Sequence, residues 1–414
     1  MQRVIPLILA LFALYACTAE PHKPEIEKPV GAAEIIERPA PAPIAPETPA
    51  SAVPAVPTAG APPAIMPSAP APAPAVLPNI TPFPHIALLL PLHSPIFGPA
   101  ADAVQQGFMA AINPKRLILP VRVYSDFDEN NSVVAAYRQA IANGARAVVG
   151  PLTRNGVSAL ATEADIPVPT LALNTVEGQF APKLYFFGLA VEAEARQVAQ
   201  LAKQQGLHQA IIITSHTQVS QRLQSAFEEE WAGPDRGILR EIEYNDDTSV
   251  FADISNIADT MVFLAVDAAK ARLIRPYLPN KLPIYATSQI FVGNDNTLTN
   301  YDLNGIHFVD MPWLLQPDHP AVMVYPRANP PLSADRERLY ALGIDSFRLI
   351  QLMLADKITS ALPLDGVTGQ IQLVGHTFQH TAIQAVFAQG HAQLGDVPAA
   401  PTSQIFPNQP TAPQ

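Results

Sequence analysis

The chain has 414 residues, a single cysteine and a formal net charge of -11. One cysteine excludes a disulfide framework. The acidic balance argues against a nucleic-acid partner and against attraction to an anionic polymer such as a teichoic acid.

The chain opens with one cation, Arg3, then an uncharged apolar run from Val4 to Ala13, then Leu14, Tyr15, Ala16 and Cys17. That order reads as a signal peptide over residues 1–16, since the run falls short of the roughly 20 residues that span a bilayer. Leu-Tyr-Ala-Cys resembles the bacterial lipobox. The resemblance implies that the Cys17 thiol carries diacylglycerol and that its freed amine takes a further acyl chain such as palmitate. An ordinary secretory signal with a chance cysteine is the competing reading, but a free thiol is a liability in an oxidising compartment and a thioether is inert. Two or three acyl chains anchor stably where one is marginal. Thr18 stands where an aspartate would mark inner-membrane retention, so the expected address is the outer membrane, lipid-anchored and facing the periplasm.

From Pro21 to Pro84, 19 of 64 residues are proline, and between Thr48 and Ala101 there is no Asp, Glu, Lys or Arg. Proline removes hydrogen-bond donors and clashes with the preceding helical turn, and no periodic large apolar residues offer a face to bury. Residues 17–83 are therefore expected to be a lipidated, disordered Pro/Ala-rich linker with a reach on the order of 200 Å at about 3.1 Å per residue. A protease-resistant spacer with no length requirement fits the same composition. A second Pro-rich tail covers 396–414. Residues 84–395 remain for the fold, enough for two lobes.

Inside that region Ile86 to Leu92 is a continuous apolar run of strand length, suited to a parallel strand buried on both faces. A turn from Ser94 to Pro99 leads into helical spacing from Ala100 to Ile112. Val121–Tyr124, Ala147–Gly150 and Leu171–Asn174 read as strands, with helices from Ser132 to Asn143 and from Arg154 to Ala164 between them. The pattern then restarts. Tyr185–Phe187 is a strand and Val191 to Gln205 a helix; Ala210–Thr214 is a strand and Gln218 to Trp231 a helix. Further strands are expected at Ile242–Tyr244, Met261–Val266 and Leu282–Ala286, with a helix from Ala268 to Tyr277. A helical stretch from Arg336 to Ile358 precedes Gly369–Leu373, which alternates like an antiparallel edge strand and is expected to pack back on the first lobe. Alternation of this kind predicts an α/β fold with two doubly wound parallel-sheet lobes, lobe 1 from about 84–188 plus 335–395 and lobe 2 from about 189–334.

Two such lobes with a cleft between them resemble the type I periplasmic-binding-protein fold. Several segments resemble one branch of it, the LppC/LpoA family of penicillin-binding-protein activators: IALLLPLHSPIFGPAADAVQQGFMAA (Ile86 to Ala111), GARAVVGPLTRNGVSALA (Gly144 to Ala161), LALN (Leu171 to Asn174) and FFGLAVEAEARQVA (Phe186 to Ala199). Later come GIHFVDMPWLL (Gly305 to Leu315), RLYALGIDSFRLIQ (Arg338 to Gln351) and LDGVTGQIQL (Leu364 to Leu373). The resemblance implies an outer-membrane lipoprotein that stimulates a class A penicillin-binding protein, the bifunctional peptidoglycan synthase, by protein contact. It implies no enzyme activity and no cofactor. One departure matters. The best-known members place a helical-repeat domain between lipid and α/β domain, where this chain has the Pro/Ala linker. If those repeats supply span, the linker replaces them; if they supply binding, the partner is weaker or different.

Turns after strand C-termini face the cleft in such folds. They nominate Ser94, Thr153 and Asn174 from the first lobe and Ser288 and Gln289 from the second. Ser94 and Thr153 suit a small ligand's carboxylate, helped by the following helix N-termini, and suit turn and N-cap roles equally. Trp313 is a candidate partner anchor or a filler of the core or lobe seam. His376 and His380 have zinc-ligand spacing only if helical, and Gly375 and Thr377 give them a strand-and-turn setting; surface histidines are the expected reading. Gly150 and Gly156 lack the Lys-Ser/Thr of a phosphate loop, and no Gly-x-Ser-x-Gly elbow is present. The competing function is a solute-binding lipoprotein of an ABC-type transporter, because fold alone does not choose.

Overall fold

The structure, a computed structural model, describes residues 82–112, 119–125, 132–178, 180–295 and 297–395. Leu14, Tyr15, Ala16 and Cys17, the linker as far as residue 81 and the 396–414 tail lie outside the described residues.

The first lobe is built in chain order from β1 (His85–Leu89), α1 (Gly98–Ala110), β2 (Val121–Tyr124), α2 (Val133–Ala142), β3 (Ala145–Val149), α3 (Arg154–Ala161), β4 (Thr170–Ala172) and β5 (Leu184–Phe187). The second follows with α4 (Val191–Gln204), β6 (Gln209–Thr214), α5 (Gln218–Trp231), β7 (Gly237–Glu243), β8 (Thr260–Leu264), α6 (Ala268–Ile274), β9 (Ile284–Ala286), α7 (Thr297–Tyr301) and β10 (Ile306–Asp310). Short helices α8 (Pro312–Leu315) and α9 (Pro320–Met323) lead to the long α10 (Ala334–Leu354), then α11 (Ile358–Ala361). The chain ends in β11 (Leu364–Asp365), β12 (Gln370–Val374), β13 (Thr377–Thr381), β14 (Ile383–Ala388) and β15 (His391–Leu394).

These strands form two sheets, ordered β11-β12-β13-β5-β4-β3-β1-β2 and β15-β14-β10-β9-β8-β6-β7. The strands from β1 to β10 pair in parallel within each sheet, and each sheet carries an antiparallel flank, β11 and β12 in the first, β14 and β15 in the second. The flank corrects the expected lobe boundary. Residues 335–395 do not all return to the first lobe: β14 pairs with β10 and takes 383–394 into the second sheet. The chain thus crosses between lobes after β5, after β10 and at Ala382.

Continuous apolar runs became strands buried on both faces, as in β1 and β8, where every residue is buried. Helices α1 and α10 cover one face of the first sheet through Val104, Phe108 and Ile344, and α2 and α3 cover the other through Tyr137, Val157 and Leu160. In the second lobe α4 and α5 pack Val198, Phe227 and Trp231 on one face, with Ile274 and Phe291 on the other. Each large apolar side chain so buried stabilises by about 1.5–3 kcal/mol relative to exposure. The backbones of α1 and α10 touch: a Cβ at Gly107 would lie 1.8 Å from the Tyr340 carbonyl oxygen, and one at Gly343 2.1 Å from that of Val104. The fold also begins before Pro84, because Phe83, assigned from composition to the linker, donates its backbone N–H to the Asn143 carbonyl at 3.3 Å and packs its ring on His85.

Candidate functional site

The nominated turns all follow strand C-termini, but most of their polar groups are committed internally. Ser94 Oγ accepts the Phe97 N–H at 3.1 Å, setting the turn into α1. Thr153 is buried as the N-cap of α3 and accepts the Gly156 N–H at 3.2 Å. Asn174 donates to the Leu152 carbonyl at 3.2 Å and accepts the Thr175 N–H at 3.0 Å, tying the turn after β4 to the turn after β3. Ser288 is buried and bonds Glu194; Gln289 follows it, half-buried. Trp313 is fully buried and so presents no ring to a partner, correcting that expectation. Its indole N–H donates to Glu337 at 2.6 Å, its ring stacks on Tyr340, and the Arg327 guanidinium lies 3.8 Å from the ring centroid. His376 and His380 lie at and after the β12–β13 turn, half-buried rather than scattered on the surface, and donate to the Leu184 and Thr368 carbonyls.

What the structure gathers at the lobe seam is an ionic network the local sequence did not announce. Arg338 on α10, packed with the first lobe, forks onto both Asp310 oxygens at 3.2 and 2.7 Å and donates to the Ser288 and Phe291 carbonyls of the second. Burial opposes the guanidinium charge, but Asp310 overrides it and holds the Arg338 pKa above its ordinary value. Glu194 on α4 accepts both the N–H and the hydroxyl of Ser288, at 2.9 and 3.0 Å. Desolvation, reinforced by the nearby Asp310 charge, pushes the Glu194 carboxyl up to about 7 against those hydrogen bonds.

Two residues earlier, Glu192 faces outward. Arg222 of α5 grips it bidentately at 2.6 and 2.9 Å, and Arg154 of α3, from the other lobe, reaches it at 3.6 Å. Burial raises the Glu192 carboxyl, but the Arg222 bond and the two arginine charges outweigh it and hold the pKa below its ordinary value. Beside this bridge lies a groove of about 850 Å³ between α3, α4 and β13. None of the five nominated turn residues lines it.

Residues 74–259 and 249–378 match the family model described as "LppC putative lipoprotein". The chain belongs to this LppC family. The penicillin-binding protein activator LpoA of Haemophilus influenzae is 29% identical over 299 residues, 69% of this chain and 50% of its own. The chain spans about half the length of the curated relatives it matches. A solved structure of the LpoA C-domain from H. influenzae, described as a regulator of PBP1A, aligns with a TM-score of 0.64 and 26% identity over 75% of this chain and 99% of that one. A Chromobacterium violaceum structure described as "a putative branched-chain amino acid ABC transporter" aligns with a TM-score of 0.63 and 37% identity over 73% of this chain and 99% of the other.

Three of the segments that carry the LppC resemblance interlock. Asp345, fully buried in RLYALGIDSFRLIQ, accepts the Thr368 N–H and hydroxyl of LDGVTGQIQL, both at 2.8 Å, and pairs with Arg348. Arg338 of the first of these reaches Asp310 of GIHFVDMPWLL. A family signature here is a record of long-range polar staples, each costly to leave half-made in a buried site.

Proposed function

We propose that this protein is an outer-membrane-anchored, periplasm-facing lipoprotein that activates a class A penicillin-binding protein by direct contact and catalyses no reaction itself. The observation that carries the reading is the alignment of the folded region with 99% of the LpoA C-domain, a regulator of PBP1A. The proposed layout is a signal peptide over 1–16, lipid on Cys17, a linker long enough to leave the membrane surface, and the two-lobed module as the contacting part. The test is a coupled assay of glycan polymerisation and transpeptidation by the organism's own class A synthase with the purified chain added. Stimulation of either activity is expected; none at saturating concentration sinks the reading.

A second reading, a solute-binding lipoprotein for an ABC-type transporter, draws on the 37% identity to the Chromobacterium violaceum structure. Ser94, Thr153 and Asn174 would then exchange their present internal bonds for bonds to the solute. A large thermal shift with a free amino acid, without synthase stimulation, would select it.

A further inference from the structure

The groove between α3, α4 and β13 is walled by polar groups that the fold leaves unspent. β13 presents Thr377, Gln379 and Thr381 on one face, alternating with Phe378, which is buried in the first-lobe core. These three side chains, with Ser158 on α3 and Gln200 on α4, have no hydrogen-bond partner among the described residues. Four ionised side chains line the same groove, and two of them are matched: Glu192 by Arg222, and Arg196 by Glu229 at 2.8 Å. Arg154 is under-used, since the Glu192 oxygen 3.6 Å away already accepts Arg222 Nε at 2.6 Å. Glu177 has no ion-pair partner among the described residues.

One spare cation and one spare carboxylate beside a hydroxyl and carboxamide wall define a chemistry. An uncharged oligosaccharide would leave both charges unanswered, and a simple anion would face Glu177 and Glu192. We propose that this groove binds a short zwitterionic peptide, its carboxylate on Arg154, its ammonium on Glu177 and its amides along the β13 side chains. The volume, about 850 Å³, falls in the range of roughly 300–1,000 Å³ common to small-ligand sites. Because α3 packs in the first lobe and α4 in the second, a bound peptide touches both and favours whichever lobe arrangement it fits best.

This inference rests on the groove and not on the synthase reading, and its test measures binding alone. Isothermal titration of the full chain with trialanine and with the wall-stem tripeptide L-alanyl-γ-D-glutamyl-diaminopimelate should show saturable binding. R154A and E177Q should each weaken it about tenfold, the scale of one charge-assisted bond. Arg154 and Glu177 are exposed, so thermal melts of both variants should overlay the parent. Binding of both peptides marks a general peptide site, and binding of the stem tripeptide alone marks a wall-derived one; either supports the proposal. The proposal is overturned by no binding of either peptide at millimolar concentration, by binding that both variants leave unchanged, or by an N-acetylglucosamine trimer binding as well as the peptides.

Discussion

Glu192 and Glu194 stand two residues apart in the first turn of α4, both where the helix dipole favours a negative charge. Their carboxyls nonetheless move in opposite directions, Glu192 down and Glu194 up to about 7. The helix end is common to both, so it does not decide. Glu192 keeps a side exposed and has a bidentate arginine; Glu194 is desolvated beside a second carboxyl, Asp310, and its bonds from Ser288 and the Arg338 charge do not offset that. The same contrast separates the two ionic networks that cross the lobe seam. The network on Arg338 is buried and ties the lobes to one another through two backbone carbonyls, whereas the bridge from Arg154 to Glu192 is long and partly exposed.

The most disruptive way to break the buried network is Arg338→Met. It removes the cation that offsets the burial of Asp310, whose carboxyl desolvation already pushes up, leaving that group unpaired at 1% exposure, and the Ser288 and Phe291 carbonyls lose a donor. Removing one partner of a buried pair costs about 3–5 kcal/mol, so urea unfolding should show a loss of that size. Adding Asp310→Leu should recover most of it, because an apolar pair of similar volume is often neutral or better. No recovery would mean that the two carbonyl bonds, rather than the ion pair, hold the seam.

The next effect is a pH slope. Glu194 is protonated in the folded chain up to about pH 7 but ionises at its ordinary 4.5 when unfolded. Below about 4.5 both states hold the proton and stability is full. As pH rises, the unfolded state releases its proton first, so stability falls through the window from 4.5 to about 7, by on the order of 3 kcal/mol at most. Glu194→Gln should flatten that part of a stability–pH curve. A slope unchanged in the variant would assign it to another group.

How much of this was legible in advance varies with range along the chain. β1, β6 and β8 are each built on a run of four consecutive apolar residues, and α5 ends where its pattern does, so local composition located them. The last hairpin was not seen: β14 and β15 are short, mixed in polarity, and joined at Gln389–Gly390, both in the left-handed region, a turn signal carried mainly by one glycine. Missing it misplaced 383–394, since only pairing with β10 says which sheet they join. The seam acids escaped for another reason: Glu194 meets Ser288 across 94 positions, and no periodicity encodes such a pairing. Trp313 shows the limit of residue type, because a tryptophan suits an interface and a core equally until burial is known.

The smallest expected effect lies at the open bridge. Glu192→Gln removes an acid whose pKa is depressed, so its contribution is present above its ordinary 4.5 and lost as pH falls below it, the mirror image of Glu194. Its two arginines are about half exposed, 41% and 54%, which limits the loss to below about 1 kcal/mol in dilute buffer. At about 1 M salt, where screening acts within about 3 Å, the difference should vanish. The same change frees Arg154 from its competing carboxylate, so a zwitterionic peptide should bind the groove more tightly in the variant than in the parent. A fall in affinity instead would mean that Glu192 orients Arg154 for the ligand, and the bridge would then be part of the site rather than its rival.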